Sequence, residues 1–150
     1  MTDHAVLVSI ADPFTADVSA DRLTAIARRV LEAEAVPPAE LSIAITDDET
    51  MRALNREYAD EDAVTDVLSF SQREGEEFVS APGGVPPLGE VIIAYPQALR
   101  QATERGHSVG DEIARLLIHG TLHLLGYDHA EAKEERRMRT REEGLLRAAG

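Results

Sequence analysis

The 150-residue chain contains no cysteine and no tryptophan, and aromatic residues make up only 4% of it. The absence of cysteine excludes disulfide bonds and every metal site built from thiolates. No apolar run approaches the length of about 20 residues that a transmembrane helix requires. Residues 1–6 also lack the basic region and apolar run of a signal peptide. We therefore expect a cytoplasmic protein whose residues 1–150 form one domain, since this length suffices for one hydrophobic core.

Basic residues are scarce as well. The chain has 15 Lys and Arg residues against 28 Asp and Glu residues, and its formal net charge is −13. A protein with this charge repels nucleic acid at long range. A nucleic-acid substrate would have to be bound by a local basic groove, a metal ion or a partner, and the simplest interpretation of the acidity is solubility.

Apolar periodicity and turn residues predict an α+β fold in which a small four-stranded mixed sheet is covered by helices. The predicted strands cover residues 6–10, 41–45, 65–70 and 90–94. The predicted helices begin at a Ser19 cap, at an Asp47 or Asp48 cap, at Pro96, at Asp111 and at Ala130. Residues 71–89, which are rich in Gly, Pro and Glu, are predicted to form a loop that is either functional or mobile.

Three of the five histidines lie within the eleven residues His119-Gly-Thr-Leu-His-Leu-Leu-Gly-Tyr-Asp-His129. His119 and His123 are four residues apart, which places them on one face of a helix. Gly126 is predicted to end this helix in the left-handed conformation, after which the chain brings His129 back towards the other two imidazoles. Three neutral nitrogen ligands with one open position are typical of catalytic zinc. Asp128 offers a fourth, oxygen ligand, so a structural zinc remains an alternative.

The histidine spacing equals that of the metzincin proteases, with one difference. Those enzymes have a glutamate directly after the first histidine as general base, whereas this chain has Gly120. Glycine cannot accept a proton, so the helix is zincin-like in its ligands but lacks the base for peptide hydrolysis. If the fold retains zincin-like geometry, we predict that Gly120→Glu would place a carboxylate beside the metal-bound water.

Two further segments accompany the histidine motif, namely Leu54-Asn55 with Tyr58 leading into Thr65-Asp-Val-Leu-Ser-Phe70, and Leu88-Gly-Glu-Val-Ile-Ile93. Together the three segments resemble the YbeY family, bacterial metal-dependent endoribonucleases of ribosomal RNA maturation. The resemblance implies one zinc ion bound by His119, His123 and His129. It also implies cleavage of single-stranded RNA during 3′-end maturation of small-subunit ribosomal RNA, and a role in ribosome quality control. The implied partners are ribosomal RNA and the small ribosomal subunit, with no DNA and no membrane.

The chain departs from the family at Ala59. The family typically has an arginine directly after the tyrosine that matches Tyr58, and this arginine is thought to serve RNA processing. Either another arginine substitutes here, or catalysis is organised differently. Arg56 lies on the same predicted helix and is our candidate RNA contact, although a solvated helix face is the simpler interpretation of this residue.

The catalytic groups stay open at this point. The nucleophile is either a water acidified by the metal or the ribose 2′-hydroxyl, and no general base is identifiable. Asp128 is the candidate for orienting a ligating imidazole. Asp66 and Glu90 either line the site or end strands, and His4 and His107 are predicted to be surface residues. The alternative functions are a non-catalytic ribosome-associated module with a structural zinc and, less favoured, a zinc peptidase.

Overall fold

The computed structural model describes residues 4–71, 85–127 and 132–149. Within these residues the strands are Ala5–Ile10 (β1), Glu40–Thr46 (β2), Val67–Ser71 (β3) and Pro87–Ala94 (β4). The α-helices are Ala20–Ala33 (α1), Asp48–Ala59 (α2), Tyr95–Arg105 (α3), Val109–Leu124 (α4) and Ala132–Ala149 (α5), and a 3-10 turn covers Asp12–Phe14. The predicted α+β class and the predicted succession of elements are confirmed.

The sheet is mixed, and its strands lie in the order β1-β2-β4-β3. β1, β2 and β4 are parallel, whereas β3 is an edge strand antiparallel to β4. β4 begins at Pro87, so the prediction that residues 87–89 belong to a loop was wrong. Gly89 there lies opposite Leu41 of β2 and Ser71 of β3, and this pairing on both sides extends the strand beyond the sequence-based estimate.

Helices α1 and α4 cover one face of the sheet, and α5 packs on α4. Alternate residues of β2 are buried, as expected for a strand with one side against the core. This core contains the following buried side chains of strands and helices: Leu41, Ile43, Ile45, Val91, Ile93, Leu23, Ile26, Val30, Leu116, Leu117, Met138 and Leu145. Helix α4, which carries His119 and His123, is thereby buried against the sheet.

Helix α2 covers part of the opposite face. Met51 of α2 packs with Ile92 of β4, and the partly buried Leu68 and Phe70 of β3 join this second cluster. Val67 instead contacts the α1–α4 side, while the Ser69 hydroxyl donates a hydrogen bond to the Gly120 carbonyl at 3.1 Å. The side chains of β3 therefore alternate between the two faces of the sheet.

Helix starts follow the capping residues. The side chains of Ser19, Asp47 and Ser108 each accept a hydrogen bond from the backbone amide three residues later. None of the described helices is both long enough and apolar enough to cross a membrane.

The prediction for His4 was wrong. This side chain is buried with 3% exposure, and its Nδ1 accepts a hydrogen bond from the Ala39 amide at 3.2 Å. The Ala39 amide, in the link between α1 and β2, would otherwise lack a hydrogen-bond partner. His4 therefore serves as a buried acceptor for a backbone N–H group. His107 lies at the surface as predicted, although its Nε2 contacts the buried Glu112.

Candidate functional site

Helix α4 carries His119 and His123 one turn apart at the edge of the core. The side chain of His119 is 32% exposed, and His123 is exposed. The neighbouring Ile118 and Leu122 are buried, so packing of the helix fixes the face that presents the histidines. The predicted third ligand His129 and its neighbour Asp128 lie outside the described residues.

The C-terminus of α4 closes in the manner predicted from Gly126. This glycine has a φ of +100°, and its amide donates to the His123 carbonyl at 3.1 Å. The Tyr127 amide donates to the Leu122 carbonyl at 3.1 Å. These two bonds form a Schellman motif, which satisfies carbonyls of the last turn while the chain leaves the helix axis. His123 therefore lies in the terminal turn, where the chain changes direction.

Tyr127 fixes the chain directly after this turn. Its hydroxyl donates to Glu34 Oε1 at 3.0 Å, and Arg141 Nε donates to the same oxygen at 2.8 Å. Burial raises the pKa of Tyr127 above its usual value, and the hydrogen bond to Glu34 acts in the same direction with a smaller effect. The hydroxyl thus remains protonated at neutral pH and anchors the chain that leads to His129 against the end of α1.

Glu142 of α5 completes the surroundings of His119. Its Oε1 lies 2.5 Å from His119 Nδ1, and its side chain is 14% exposed. A ligating histidine usually donates its second ring N–H to a carboxylate, which fixes the tautomer and the ring orientation. Sequence reasoning missed Glu142. The available signal was its position four residues after Met138 and three before Leu145, because these buried residues mark the face of α5 that meets α4.

Gly120 faces the sheet, which contradicts the prediction for Gly120→Glu. A Cβ at this position would lie 2.8 Å from Val91 Cγ1 and 3.0 Å from Ser69 Oγ. A glutamate would therefore collide with β3 and β4 and could not extend towards the histidines without displacing the helix. The glycine is required by the close approach of α4 to the sheet, in addition to being unable to act as a base.

A buried carboxylate network lies one to two turns before His119. Glu112 has 0% side-chain exposure and contacts His107 Nε2 at 2.7 Å, Gln101 Nε2 at 2.9 Å and Arg115 Nη2 at 2.6 Å. Burial alone would raise the pKa of Glu112, but the hydrogen bonds from Arg115, Gln101 and His107 outweigh this effect and lower it to about 2. Glu112 is therefore ionised and holds Arg115 in place.

Asp66 is connected to the same network. Its Oδ1 accepts from the Val67 amide at 2.7 Å, and its Oδ2 accepts from Gln101 Nε2 at 3.2 Å. Asp66 was expected either to line the site or to end a strand. These hydrogen bonds support the second role, because they connect the start of β3 to α3.

The end of α2 carries Arg56, Tyr58 and Ala59, all exposed. Tyr58 is 62% exposed and meets the Phe70 ring edge-on with centroids 5.2 Å apart. Arg52, one turn earlier, forms a bidentate pair with Asp62 at 2.7 and 3.0 Å. Arg52 is thereby engaged with a carboxylate, and the exposed Arg56 remains the candidate RNA contact of this helix.

Comparison with known proteins assigns the chain to a family. The sequence profile described as Endoribonuclease YbeY matches residues 11–150. The chain belongs to the YbeY family. The family's Endoribonuclease YbeY of Geobacillus kaustophilus is 46% identical over 143 residues, which cover 91% of this chain and 92% of the relative. The Endoribonuclease YbeY of Dehalococcoides mccartyi is 47% identical over 145 residues, which cover 91% of each chain.

The fold of this YbeY family member also resembles a solved structure. The solution structure of TM1509 from Thermotoga maritima superposes with a TM-score of 0.62, covering 96% of this chain and 88% of that chain at 19% identity. The likeness is one of fold. Within residues 4–71, 85–127 and 132–149 there is no group of three or more His, Asp and Glu side chains placed to hold a metal ion. The complete predicted ligand set includes His129, which lies outside these ranges.

Proposed function

We propose that this protein is a zinc-dependent endoribonuclease that cleaves single-stranded RNA. The relatives named above are called Endoribonuclease YbeY, which supports an RNA hydrolase. The observation that carries the metal proposal is the contact between His119 Nδ1 and Glu142 Oε1 at 2.5 Å. An imidazole that donates from Nδ1 keeps its Nε2 lone pair for a metal ion.

Two of the three proposed ligands lie in the described part of the chain, and their arrangement supports the proposal. His119 and His123 lie one turn apart on α4, and the Schellman turn at Gly126 redirects the chain immediately before His129. We assign one zinc ion to His119, His123 and His129, with Asp128 as a further group that orients an imidazole. When bound, zinc supplies Lewis acidity that lowers the pKa of water and stabilises charge on a phosphate oxygen. Glu142 orients His119, and Tyr127 anchors the chain that leads to His129.

The proposal extends to the cellular role implied by the family resemblance. The substrate would be precursor small-subunit ribosomal RNA, cleaved near its 3′ end in the cytoplasm, with the small ribosomal subunit as partner and a function in ribosome quality control. Because the protein has a net charge of −13 and repels nucleic acid at long range, the substrate would have to be held by local basic side chains, the metal ion or the partner.

Activity and metal content together test the proposal. Metal-loaded protein should cleave a fluorogenic single-stranded RNA, a chelator should abolish the cleavage, and casein should remain intact. The triple variant His119→Ala, His123→Ala, His129→Ala should lose stoichiometric zinc.

Chelator-sensitive casein cleavage would support a zinc peptidase. Full zinc occupancy with no RNA cleavage would support a non-catalytic module with a structural zinc, for which Ala59 in place of the family's arginine is the favouring observation.

A further inference from the structure

An arginine-lined cleft of about 450 Å³ opens beside His119, where α3, α4 and α5 meet. Its basic side chains come from all three helices. Arg105 is the last residue of α3, Arg115 lies one turn before His119 on α4, and Arg139 projects from α5. Because i and i+4 positions are neighbours on a helix, Arg115 and His119 face the cleft together.

Arg115 is held in a fixed orientation. Its Nε and Nη2 donate to the two oxygens of the buried Glu112 at 3.3 and 2.6 Å. A guanidinium has five N–H donors in a rigid plane, and this pair uses one edge of it. Among the described residues Nη1 has no hydrogen-bond partner, and the side chain keeps 24% exposure. The remaining donors are therefore preorganised for an oxyanion in the cleft.

Arg105 and Arg139 are held more loosely. Arg105 Nε lies 3.7 Å from Glu112 Oε1 and its side chain is 52% exposed, which leaves its donors at the cleft surface. Arg139 pairs with Glu135 at 2.6 Å, with side chains 61% and 47% exposed. Exposed pairs of this kind contribute little to stability, so Arg139 can exchange Glu135 for a phosphate at low cost.

The charge of the cleft differs from that of the whole protein. Three arginines line the cleft beside the carboxylates of Glu135, Glu142 and Glu143, and the buried Glu112 carboxylate contacts Arg105 and Arg115 from behind, so the formal charge around the cleft is −1, compared with −13 for the chain. Two of these carboxylates already have partners, since Glu142 contacts His119 and Glu135 contacts Arg139. A phosphodiester approaching His119 therefore encounters guanidinium donors in a region where positive and negative side chains nearly balance.

We propose that this cleft binds phosphodiester groups of the RNA strand, and that Arg105, Arg115 and Arg139 position the strand at His119. The inference rests on the proposed function and adds the substrate-binding groups to it. The three arginines are positioning residues, because they fix where the backbone lies relative to the histidines.

The salt dependence of RNA binding tests the cleft without any cleavage step. Metal-free protein in EDTA is titrated into a short fluorescein-labelled single-stranded RNA, and anisotropy gives the binding constant over a series of KCl concentrations. Each lost phosphate contact should reduce the slope of log K against log [KCl] by about 0.7, so the Arg105→Ala, Arg139→Ala double variant should lose about 1.4. Arg115→Lys keeps the charge but not the planar fork, and it should bind about tenfold more weakly at an unchanged slope.

Arg28→Ala is the matched control, because Arg28 is an exposed arginine of α1 on a different surface. The double variant should fold, since Glu112 keeps its contacts with Arg115, Gln101 and His107, and thermal melts check this. Cleft variants with the same affinity and slope as Arg28→Ala would overturn the inference, as would wild-type protein that does not bind RNA.

Cleavage of the same RNA by metal-loaded wild type separates the two proposals. Normal cleavage combined with unchanged slopes in the cleft variants contradicts the cleft alone. No cleavage combined with reduced slopes contradicts the proposed nuclease activity and leaves the phosphate-binding cleft supported.

Discussion

Glu142 Oε1 lies 2.5 Å from His119 Nδ1 and connects α5 to the histidine face of α4. The two residues are 23 positions apart, and the glutamate is the more buried partner, with 14% exposure against 32% for the histidine. In the proposed zinc site, a carboxylate in this place would accept the Nδ1 proton and keep Nε2 as the metal-binding atom. The packing of α5 on α4 thus brings a carboxylate to Nδ1 of His119, which in the proposed site would leave Nε2 for the metal ion.

Removal of this carboxylate should weaken metal binding. Glu142→Ala is expected to raise the zinc dissociation constant by about 10- to 100-fold, because His119 loses the partner that fixes its tautomer and ring orientation. Glu142→Gln keeps an acceptor oxygen and should lie between Glu142→Ala and wild type. Competition with a chromophoric chelator measures the constant on the full chain.

Glu143→Ala is the control, since this neighbouring glutamate is exposed and its replacement changes the net charge equally. Its zinc affinity should remain that of wild type. An unaltered dissociation constant in a folded Glu142→Ala protein would show that the carboxylate does not support the metal site.

The strands and helices could be predicted because their signals are local. Alternating apolar residues identified β2, and Ser19 and the pair Asp47-Asp48 marked helix starts, of which the structure shows Ser19 and Asp47 as the caps. Gly126 marked the end of α4 for the same reason, since a left-handed φ favours glycine. Patterns of this kind depend on neighbours within one or two turns.

The surroundings of His119 could not be predicted in the same way. Glu142 and the arginines of the cleft reach the histidine through packing of three helices, and no spacing in the sequence expresses that arrangement. For Gly120 the local pattern was available, but it did not reveal the packing constraint on this residue. Comparison with the metzincin pattern treated it as a missing base, whereas the structure shows that the close contact with Val91 and Ser69 requires a residue without a side chain.

Gly120→Ala should destabilise the protein by about 1–3 kcal/mol, the usual cost of an added group in a packed core. The new Cβ would lie 2.8 Å from Val91 Cγ1, which belongs to a β-branched side chain on a central strand and has little room to move. Urea denaturation of the metal-free protein measures the change. Gly144→Ala on α5 is the control, because nothing lies within 4 Å of its Cβ position.

The free energy of unfolding of Gly144→Ala should rise by about 0.5–1 kcal/mol, since alanine is a better helix-forming residue than glycine. If Gly120→Ala were as stable as wild type, α4 would have to lie farther from β3 and β4 than the structure shows.

Acid should destabilise the protein through Glu112. Its folded-state pKa is lowered from 4.5 to about 2, so the unfolded chain takes up the proton first as pH falls. The corresponding stability is present above pH 4.5 and is lost progressively towards pH 2. Its size is up to ~3 kcal/mol by proton linkage. Urea midpoints measured over this pH range should fall more steeply in wild type than in Glu112→Gln.

Glu112→Gln should also be less stable at pH 7, because the half-buried Arg115 loses its charged partner. Glu104→Gln, a change of the same charge on the exposed side of α3, should follow the wild-type pH profile. If the urea midpoints of wild type and Glu112→Gln fell equally steeply between pH 4.5 and pH 2, the acid destabilisation could not be assigned to Glu112.

Arg56 should compensate for Ala59 in RNA cleavage. The two positions lie three residues apart at the exposed end of α2, so an arginine side chain from one can reach a phosphate near the other. Loss of a charged hydrogen bond to phosphate costs on the order of 1.5–3 kcal/mol, or roughly tenfold to a hundredfold in rate if the contact forms in the transition state. Arg56→Ala should therefore reduce cleavage of a ribosomal RNA fragment by this factor, and adding Ala59→Arg should restore it.

Arg28→Ala controls for the lost charge, and thermal melts exclude unfolding. Unchanged cleavage by a folded Arg56→Ala protein would show that Arg56 does not take over the role of the family's arginine.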